Sequence, residues 1–329
     1  MKFAFIDRQL ANKKATPSHW SAVALECRGF GVPSHWSAGA LCRILGVSRS
    51  GYWAWQRRQR QPVSAARQAR QQAECCLRLQ IHGAHRRGRC YYGSPRVQNE
   101  LRDQGIRVSR KRVARLMREE GLVGRSRARH RVQTTDSRHS YRVADNLLER
   151  RFSPQEVARP NRFWCGDITY LPTTQGWVYL ATVKDIFSRR IVGWALADSL
   201  EATLVATAWQ RALRTRGFKA CQGPELYHSD RGSQYCGTLF QDLLRCSGTQ
   251  ASMSGKGECL DNAVAESFFG TLKAELLTDQ PGYRFAGKTQ AALLVGDYIE
   301  NFYNSIRKHS ALGNKCPIAF ELAYQLNTK

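Results

Sequence analysis

The sequence predicts an α/β domain built on a mixed five-stranded sheet with helices, preceded by an all-α region of helix-turn-helix character. Amphipathic helical patterns interrupted by glycine occupy the chain up to about residue 124, whereas short apolar runs typical of strands begin at Phe163. Charge divides in the same way: residues 1–150 hold 31 Lys and Arg against 10 acids, and residues 151–329 hold 20 against 16. An Arg-rich half beside a near-neutral half is typical of a nucleic-acid-binding region joined to a cored domain. On charge alone, RNA or ribosome binding stays open.

The length and composition indicate a globular chain. With 329 residues and 42% hydrophobic content, it can bury a sizeable core and form two or three domains. No apolar run approaches the roughly 18 residues that a membrane span needs. The opening MKFAFIDRQLANKK is too short in its apolar part and too charged to be a secretory signal. We therefore expect a cytoplasmic location and no membrane partner.

Residues 1–36 are predicted to be an N-terminal segment that carries a duplicated insert. PSHWSAVALECR at 17–28 and PSHWSAGALCR at 33–43 repeat with a period of 16 residues. Two copies do not make a solenoid, so a local duplication is the simpler interpretation.

Residues 37–60 predict a small helix-turn-helix-like unit. The pattern indicates a helix to Leu45, a turn at Gly46 and a second helix capped by Ser48. A stronger helix-turn-helix pattern follows within residues 61–124, which we assign to a basic helical DNA-binding domain.

In that second domain, Ser94 or Pro95 is predicted to begin one helix, Gly105 to end it, and Ser109 to cap the next. The later helix is amphipathic, with an apolar stripe that contains Val113 and Leu116. Its opposite face suits contact with DNA phosphates or a major groove, although a merely solvated basic face is the alternative. The candidate DNA-binding residues on that face are Arg110, Lys111, Arg112, Arg115 and Arg118.

Residues 125–158 are predicted to be a basic linker, because the run RSRARHRVQTTDSRHSYR lacks apolar periodicity. Residues 159–329 are predicted to form the catalytic core with C-terminal helices. Its first three strands, RFWCGDITYLP, WVYLATVKDIF and IVGWALA, indicate an antiparallel meander. A helix over 200–216, a strand ending at Asp230, a helix near 238–246, a strand at 250–253 and a final helix follow. This order matches a ribonuclease-H-like core.

Three carboxylates in this core are candidate ligands for a divalent metal ion. Asp167 lies inside the first strand, Asp230 ends a later strand, and Glu266 lies in the helix DNAVAESFFGTLKAELL. Phosphoryl transfer on DNA uses divalent ions, and Mg²⁺ prefers carboxylate oxygens. Lys273 lies seven residues after Glu266 on the same helix face, where its ammonium could hold a phosphate. Three other acids are the alternatives, each with a structural role available: Asp185 at a strand end, Asp261 as the helix N-cap, and Glu258.

The combined motifs resemble those of the catalytic OrfB protein of insertion-sequence-three-type transposases. The resemblance rests on GDITYLPTTQGWVYLATVKDIFSRRIVGWAL, YHSDRGSQY, DNAVAESFFGTLKAELL and YIENFYNSIRKHSAL, and upstream on LCRILGVSRSGYWAW and YGSPRVQNELRDQGIRVSRKRVARLMREEGL. It covers nearly the whole chain apart from the duplicated insert. It implies a DDE integrase core related to retroviral integrases, in which Asp167, Asp230 and Glu266 are catalytic residues and metal ligands. Lys273 matches the basic residue that follows the glutamate.

The resemblance further implies Mg²⁺-dependent cleavage and joining of double-stranded DNA at terminal inverted repeats and target, with Mn²⁺ as a possible substitute. It also implies a homo-oligomer and an upstream OrfA protein joined by ribosomal frameshifting. Two alternatives stay open: a catalytically inactive DNA-binding remnant or repressor, and a ribonuclease acting on RNA:DNA hybrids. Tyr303, Asn304, Arg307 and His309 match a family motif, and either DNA contact or helix packing would explain them.

Lys184 departs from the family pattern, which has an apolar residue at this strand position. A buried ammonium costs several kcal/mol unless it reaches solvent or a partner. The sequence therefore predicts reduced stability unless Lys184 finds such a partner.

Overall fold

The computed structural model describes residues 1–11, 37–60, 64–125 and 139–328. Most of the duplicated insert and residues 126–138 of the predicted linker lie outside these ranges. The chain divides into two compact units, Met1–Cys76 and Leu77–Lys329. In the described ranges, no helix is both long and apolar enough to cross a lipid bilayer.

Short helices build the described part of the first unit, and two of the predicted caps are present. Ser37 Oγ accepts a hydrogen bond from the Ala40 N–H at 3.2 Å, and Ser48 Oγ accepts one from the Gly51 N–H at 2.9 Å. Between them Gly46 has φ +61°, which favours glycine. The predicted helix, turn and helix are therefore confirmed. The helices are α1 (Lys2–Ala11), α2 (Ala38–Ile44) and α3 (Arg49–Arg60).

The second unit begins within a long helix and continues with the predicted helix-turn-helix. Gly105 has φ +79° between the two later helices, and Ser109 Oγ accepts a hydrogen bond from the Arg112 N–H at 3.3 Å. Val113 and Leu116 are buried and pack with Phe302 in one apolar cluster, so this region shares a core with the C-terminal helices. The helices are α4 (Ala65–Arg87), α5 (Ser94–Asp103) and α6 (Arg110–Glu119).

The sheet confirms the predicted ribonuclease-H-like fold class. Its five strands are arranged in the order β3-β2-β1-β4-β5, with β1, β2 and β3 antiparallel and β4 and β5 parallel to β1. The strand β5 has the bounds that the sequence predicts. The strands are β1 (Phe163–Thr173), β2 (Gly176–Asp185), β3 (Ile191–Ala197), β4 (Leu226–Ser229) and β5 (Gln250–Met253).

Helices cover both faces of this sheet. On one face, Trp164 of β1 packs edge-to-face on Trp209 with ring centroids 5.4 Å apart. On the other, Leu171 of β1 lies in one apolar cluster with Phe268 and Leu272. The helices of this part are α7 (Pro154–Val157), α8 (Ala202–Thr215), α9 (Ser233–Cys236), α10 (Thr238–Cys246), α11 (Ala263–Leu276), α12 (Lys288–Asp297), a π-helical segment (Tyr298–Tyr303) and α13 (Pro317–Asn327).

Gly193 of β3 lets α8 approach the sheet closely. A Cβ atom at this position would lie 2.3 Å from the Ala208 carbonyl oxygen and 2.6 Å from the Ala212 nitrogen. Both are backbone atoms of α8, so they cannot rotate away.

We expect Gly193→Ala to lower the free energy of unfolding by about 1–3 kcal/mol, measured by urea unfolding. Gly83→Ala is the control, because its Cβ meets nothing closer than Arg87 Nη1 at 3.7 Å and alanine favours the helix. Equal stability of the two variants would contradict the close-approach argument.

Candidate active site

Asp167 lies inside β1, and Asp230 directly follows the neighbouring parallel strand β4 at the same level. Cys165 of β1 pairs with His228 of β4 in the ladder, and each aspartate lies two residues beyond its member of that pair. Side chains two residues apart point to the same face of a sheet. The rule directs the Asp167 carboxylate to the same face as Cys165, and the pairing puts Asp167 beside the end of β4 that Asp230 follows.

That face is the one covered by α11. Cys165 clusters with Val264 and Ala265 of this helix, and Asp167 has the same orientation as Cys165. Glu266 follows in the first turn of α11 and is exposed, as the sequence predicts for a carboxylate at an edge or a cleft. Lys273 is half-buried two turns later.

Electrostatics link the three carboxylates and the lysine. Burial raises the pKa of Asp167 well above its usual range, and the charges of Asp230 and Glu266 raise it further. Lys273 and a 2.8 Å hydrogen bond from the Ile168 N–H oppose that rise. Burial also lowers the pKa of Lys273, while the charge of Asp167 acts against this. The structure thus brings all four predicted residues into one electrostatic neighbourhood.

Within the described ranges, no three His, Cys, Asp or Glu side chains are close enough together to form a ready-made metal cluster. The donor set of Asp167, Asp230 and Glu266 nevertheless fits a hard divalent cation, because all three donors are carboxylates. Burial is the main cause of the raised pKa of Asp167, and the negative charge of Asp230 and Glu266 adds to it. A divalent cation would balance that charge.

Backbone geometry fixes the two aspartates. Asp230 Oδ1 accepts a hydrogen bond from the Gly232 N–H at 3.0 Å. Gly166, directly before Asp167, leaves room for Tyr227, since a Cβ there would lie 1.7 Å from the Tyr227 hydroxyl oxygen. Sequence reasoning missed Gly166, although a glycine inside a strand is a signal of such a close approach.

His228 is a packed histidine beside the site. Its ring nitrogens lie 2.9 Å from Ser252 Oγ and 3.3 Å from Ser254 Oγ. Burial lowers its pKa to about 4, so the ring is neutral at neutral pH. These contacts with two serines give His228 a structural role in packing.

The alternative acids have structural roles. Asp185 is buried and accepts hydrogen bonds from the backbone N–H groups of Ser188 (2.9 Å) and Asn161 (2.6 Å). Glu258 forms an exposed ion pair with Arg150 at 2.6 Å.

The predicted N-cap role of Asp261 is wrong. Asn262 occupies the N-cap position of α11 and makes no side-chain cap bond. The carboxylate of Asp261 turns back instead to Arg150 Nε at 2.7 Å and the Gly255 N–H at 2.9 Å. Asp261 lies inside the short 3₁₀ helix Cys259–Asn262 that leads into α11, so the cap position falls one residue later.

The motif of Tyr303, Asn304 and Arg307 packs internally. The Asn304 amide donates to the Ile191 carbonyl oxygen and accepts from the Ile191 N–H, both at 3.0 Å. Arg307 forms a buried ion pair with Glu275, with an Nη2 to Oε1 distance of 2.7 Å. Of the two roles open for this motif, the structure supports helix packing for Asn304 and Arg307.

The five basic candidates of α6 lie on its exposed face, opposite its buried apolar stripe, as the pattern predicts. Arg115 pairs with Glu119 one turn later at 2.7 Å. An exposed pair of this kind contributes little to stability. The residues are Arg110, Lys111, Arg112, Arg115 and Arg118.

Lys184 is buried with only 2% of its surface exposed, yet its ammonium has a partner. Its Nζ donates to the Val264 carbonyl oxygen in the first turn of α11 at 2.8 Å. This contact meets the condition under which a buried lysine is tolerated.

Protein-family models match both the sheet-containing core and the helices before it. Two integrase core domain families match residues 157–259 and 247–317, and an HTH-like domain family matches residues 72–130. The integrase core family is divalent-metal dependent. Among solved structures, the HTLV-2 integrase catalytic core domain in complex with magnesium aligns with 50% of this chain and 99% of that chain, at 17% identity and a TM-score of 0.39.

Curated relatives match over most of their length. The insertion element IS600 uncharacterized 31 kDa protein of Shigella sonnei is 42% identical over 86% of this chain and 98% of its own. The transposase InsF for insertion sequence IS3A of Escherichia coli strain K12 is 40% identical over 86% of this chain and 93% of its own. With an integrase core domain, an HTH-like domain and these relatives, the chain belongs to the IS3-type insertion-sequence transposases.

Proposed function

We propose that this chain cleaves and joins DNA strands at the ends of its insertion sequence, using Mg²⁺ held by Asp167, Asp230 and Glu266. The observation that carries the proposal is the parallel pairing of β1 with β4, since Asp167 and Asp230 then lie at one level beside α11, the helix of Glu266. Mn²⁺ is the expected substitute, since it also takes oxygen ligands. When bound, the metal supplies activation of a water or a DNA 3′-hydroxyl and stabilisation of the leaving oxygen.

Four side chains of the protein are positioned for that chemistry. Asp167 and Asp230 are held at one level by the pairing of β1 and β4, and Glu266 is fixed on a helix that packs on the same face. Lys273, on the same face of α11, supplies a positive charge beside these carboxylates, suited to holding a phosphate of the bound strand. A strand and a helix carry Asp167, Glu266 and Lys273, and Asp230 directly follows a strand, which suits the positioning that catalysis requires.

DNA binding is assigned to the helical region before the core. We propose that residues 61–124 form the DNA-binding domain, 37–60 a smaller helix-turn-helix-like unit, and 125–158 a basic linker. Support comes from the HTH-like match and from the exposed basic face of α6. The remaining boundaries are an N-terminal segment over 1–36 and a core over 159–329.

The basic face of α6 makes a measurable contribution to DNA affinity. If Arg118 contacts a phosphate, we expect Arg118→Gln to weaken binding of all duplexes similarly and to reduce the slope of log K against log salt by about 1. Fluorescence anisotropy with a labelled duplex at several salt concentrations measures both. Arg214→Gln is the control, because Arg214 is exposed on α8, away from the proposed site. An unchanged slope for Arg118→Gln would remove this residue from the interface.

The proposal extends to partners. A homo-oligomer and a frameshift fusion with an upstream OrfA protein are expected for this family. Comparing this chain with a fused chain for specific binding of the element's end tests the second point. Equal specificity of the two proteins would contradict dependence on OrfA.

The deciding experiment measures cleavage and joining of a labelled duplex that carries the element's end. Products are expected with Mg²⁺ or Mn²⁺, and none after EDTA treatment, while end binding persists. Binding without cleavage at any divalent ion, by this chain and by the fusion, would favour a DNA-binding remnant. Cleavage of RNA:DNA hybrids in preference to duplex ends would favour a ribonuclease.

A further inference from the structure

A polar cavity lies beside α11, apart from the carboxylate site. Its volume is about 530 Å³. Val264, Ser267 and Thr271 of α11 line it, whereas Glu266 and Lys273 do not. The cavity is therefore separate from the carboxylate site, and it lies within the second unit.

The cavity wall carries far more positive than negative charge. Its lining contains five cationic side chains, Arg96, Arg125, Lys184, Arg189 and Arg307, and a single carboxylate, Glu275. That carboxylate is fully engaged, since it accepts from Arg307 and from the Tyr298 hydroxyl at 2.7 Å. Arg125 is paired with Asp279 at 2.5 Å. Excess positive charge remains on the other lining residues.

Among the described residues, Arg189 lacks a hydrogen-bond partner for one of its buried nitrogens. Its Nη2 donates to the Phe152 carbonyl oxygen at 2.7 Å, but its buried Nε has no hydrogen-bond partner in the described ranges. Burial lowers the pKa of this guanidinium. Arg96 resembles it: its Nε donates to the Lys308 carbonyl oxygen at 3.1 Å, and burial lowers its pKa too. Neither guanidinium forms an ion pair with a described carboxylate, and native structures rarely leave such groups uncompensated.

His309 supplies a second buried nitrogen without a partner. Its Nε2 makes no hydrogen bond to any described residue, while its ring packs edge-to-face on Tyr303 at 4.8 Å between centroids. Burial and the surrounding cations hold the pKa of His309 well below its usual range, so the ring is neutral. A neutral imidazole can donate one N–H to an oxygen ligand.

We propose that this cavity is an anion-binding site that takes a phosphate group, anchored by Arg189, Arg96 and His309. An anion with several oxygen acceptors would compensate the charges of the Arg189 and Arg96 guanidinium groups, which line the cavity together with His309. The phosphate belongs either to a DNA strand or to a small free anion such as pyrophosphate. The site does not depend on strand cleavage, so its test is independent of the proposed function.

Calorimetric titration of the full chain with inorganic phosphate and pyrophosphate, without divalent metal, tests the site. We expect pyrophosphate to bind, and to bind at least tenfold more weakly to Arg189→Gln and to Arg96→Gln. These variants change different elements, so a folding defect in one leaves the other informative. Arg214→Gln is the charge-matched control and should bind like the unaltered chain. Near-ultraviolet circular dichroism verifies that each variant is folded.

Competition between pyrophosphate and a labelled DNA duplex identifies the source of the phosphate. If pyrophosphate displaces a labelled duplex from the unaltered chain, and Arg189→Gln weakens duplex binding, the site takes a DNA phosphate. If pyrophosphate and duplex bind together, the site takes a free anion. The proposal is overturned if neither phosphate nor pyrophosphate binds and both variants bind duplex DNA like the unaltered chain. Equal pyrophosphate binding by the unaltered chain and both folded variants overturns it as well, because the anion would then bind elsewhere.

Discussion

Glu266→Gln is expected to lower strand cleavage at the element's end by at least about 10³-fold, which corresponds to about 4 kcal/mol of transition-state stabilisation. The amide keeps the shape of the side chain but removes the charge that a divalent cation needs. Asp167→Asn and Asp230→Asn are expected to behave alike, since the three carboxylates act on one another. Cleavage of a labelled duplex with Mg²⁺ measures the loss, and anisotropy should show unchanged end binding.

Glu258→Gln is the matched control for that loss. Glu258 lies shortly before α11 and is exposed, but its carboxylate pairs with Arg150 rather than with the proposed site. The same chemical change there should leave cleavage within about twofold of the unaltered chain. If Glu266→Gln retains cleavage, or if both variants lose it equally, the result would contradict the assignment of Glu266 as a metal ligand.

Glu275→Gln is expected to lower the free energy of unfolding by about 3–5 kcal/mol. Glu275 is 2% exposed and receives hydrogen bonds from Arg307 Nε, Arg307 Nη2 and the Tyr298 hydroxyl. Removing its charge leaves the Arg307 guanidinium buried without its counter-ion, which is the costly step. Urea unfolding followed by tryptophan fluorescence measures the change.

An exposed ion pair provides the comparison. Asp242 and Arg245 pair at 2.7 Å on α10 with more than half of each side chain exposed. Asp242→Asn removes one carboxylate in the same way but should change stability by less than about 0.5 kcal/mol. If the two substitutions have similar effects, burial is not what makes the Arg307 pair important.

Local patterns predicted the elements well because their signals act over a few residues. Ser109 caps its helix, and the strand over 250–253 has the predicted bounds. In both cases, capping or turn chemistry near the element decides its ends. The prediction for Asp261 failed because its partner Arg150 is 111 residues away, and a nearest-neighbour rule cannot include such a contact.

Lys184 is a second residue whose partner lies far away in the sequence. Its residue type and strand position predicted a costly buried charge. Its partner is a backbone carbonyl oxygen of Val264, 80 residues later, which any residue type would provide. No sequence signal identifies that partner.

The sequence by itself determined the division into a basic helical region and a mixed-sheet core, the order of the strands along the chain, and the identity of three candidate carboxylates with Lys273. These follow from periodicity, charge and residue type, all of which are local. Only the tertiary structure decided that Asp167 and Asp230 share a level, because this depends on the parallel pairing of β1 with β4. It also decided that the cations beside α11 surround one cavity, since Arg96 and Arg307 are 211 residues apart in the sequence. Proximity between distant segments is a property of packing, and packing is what a linear pattern does not contain.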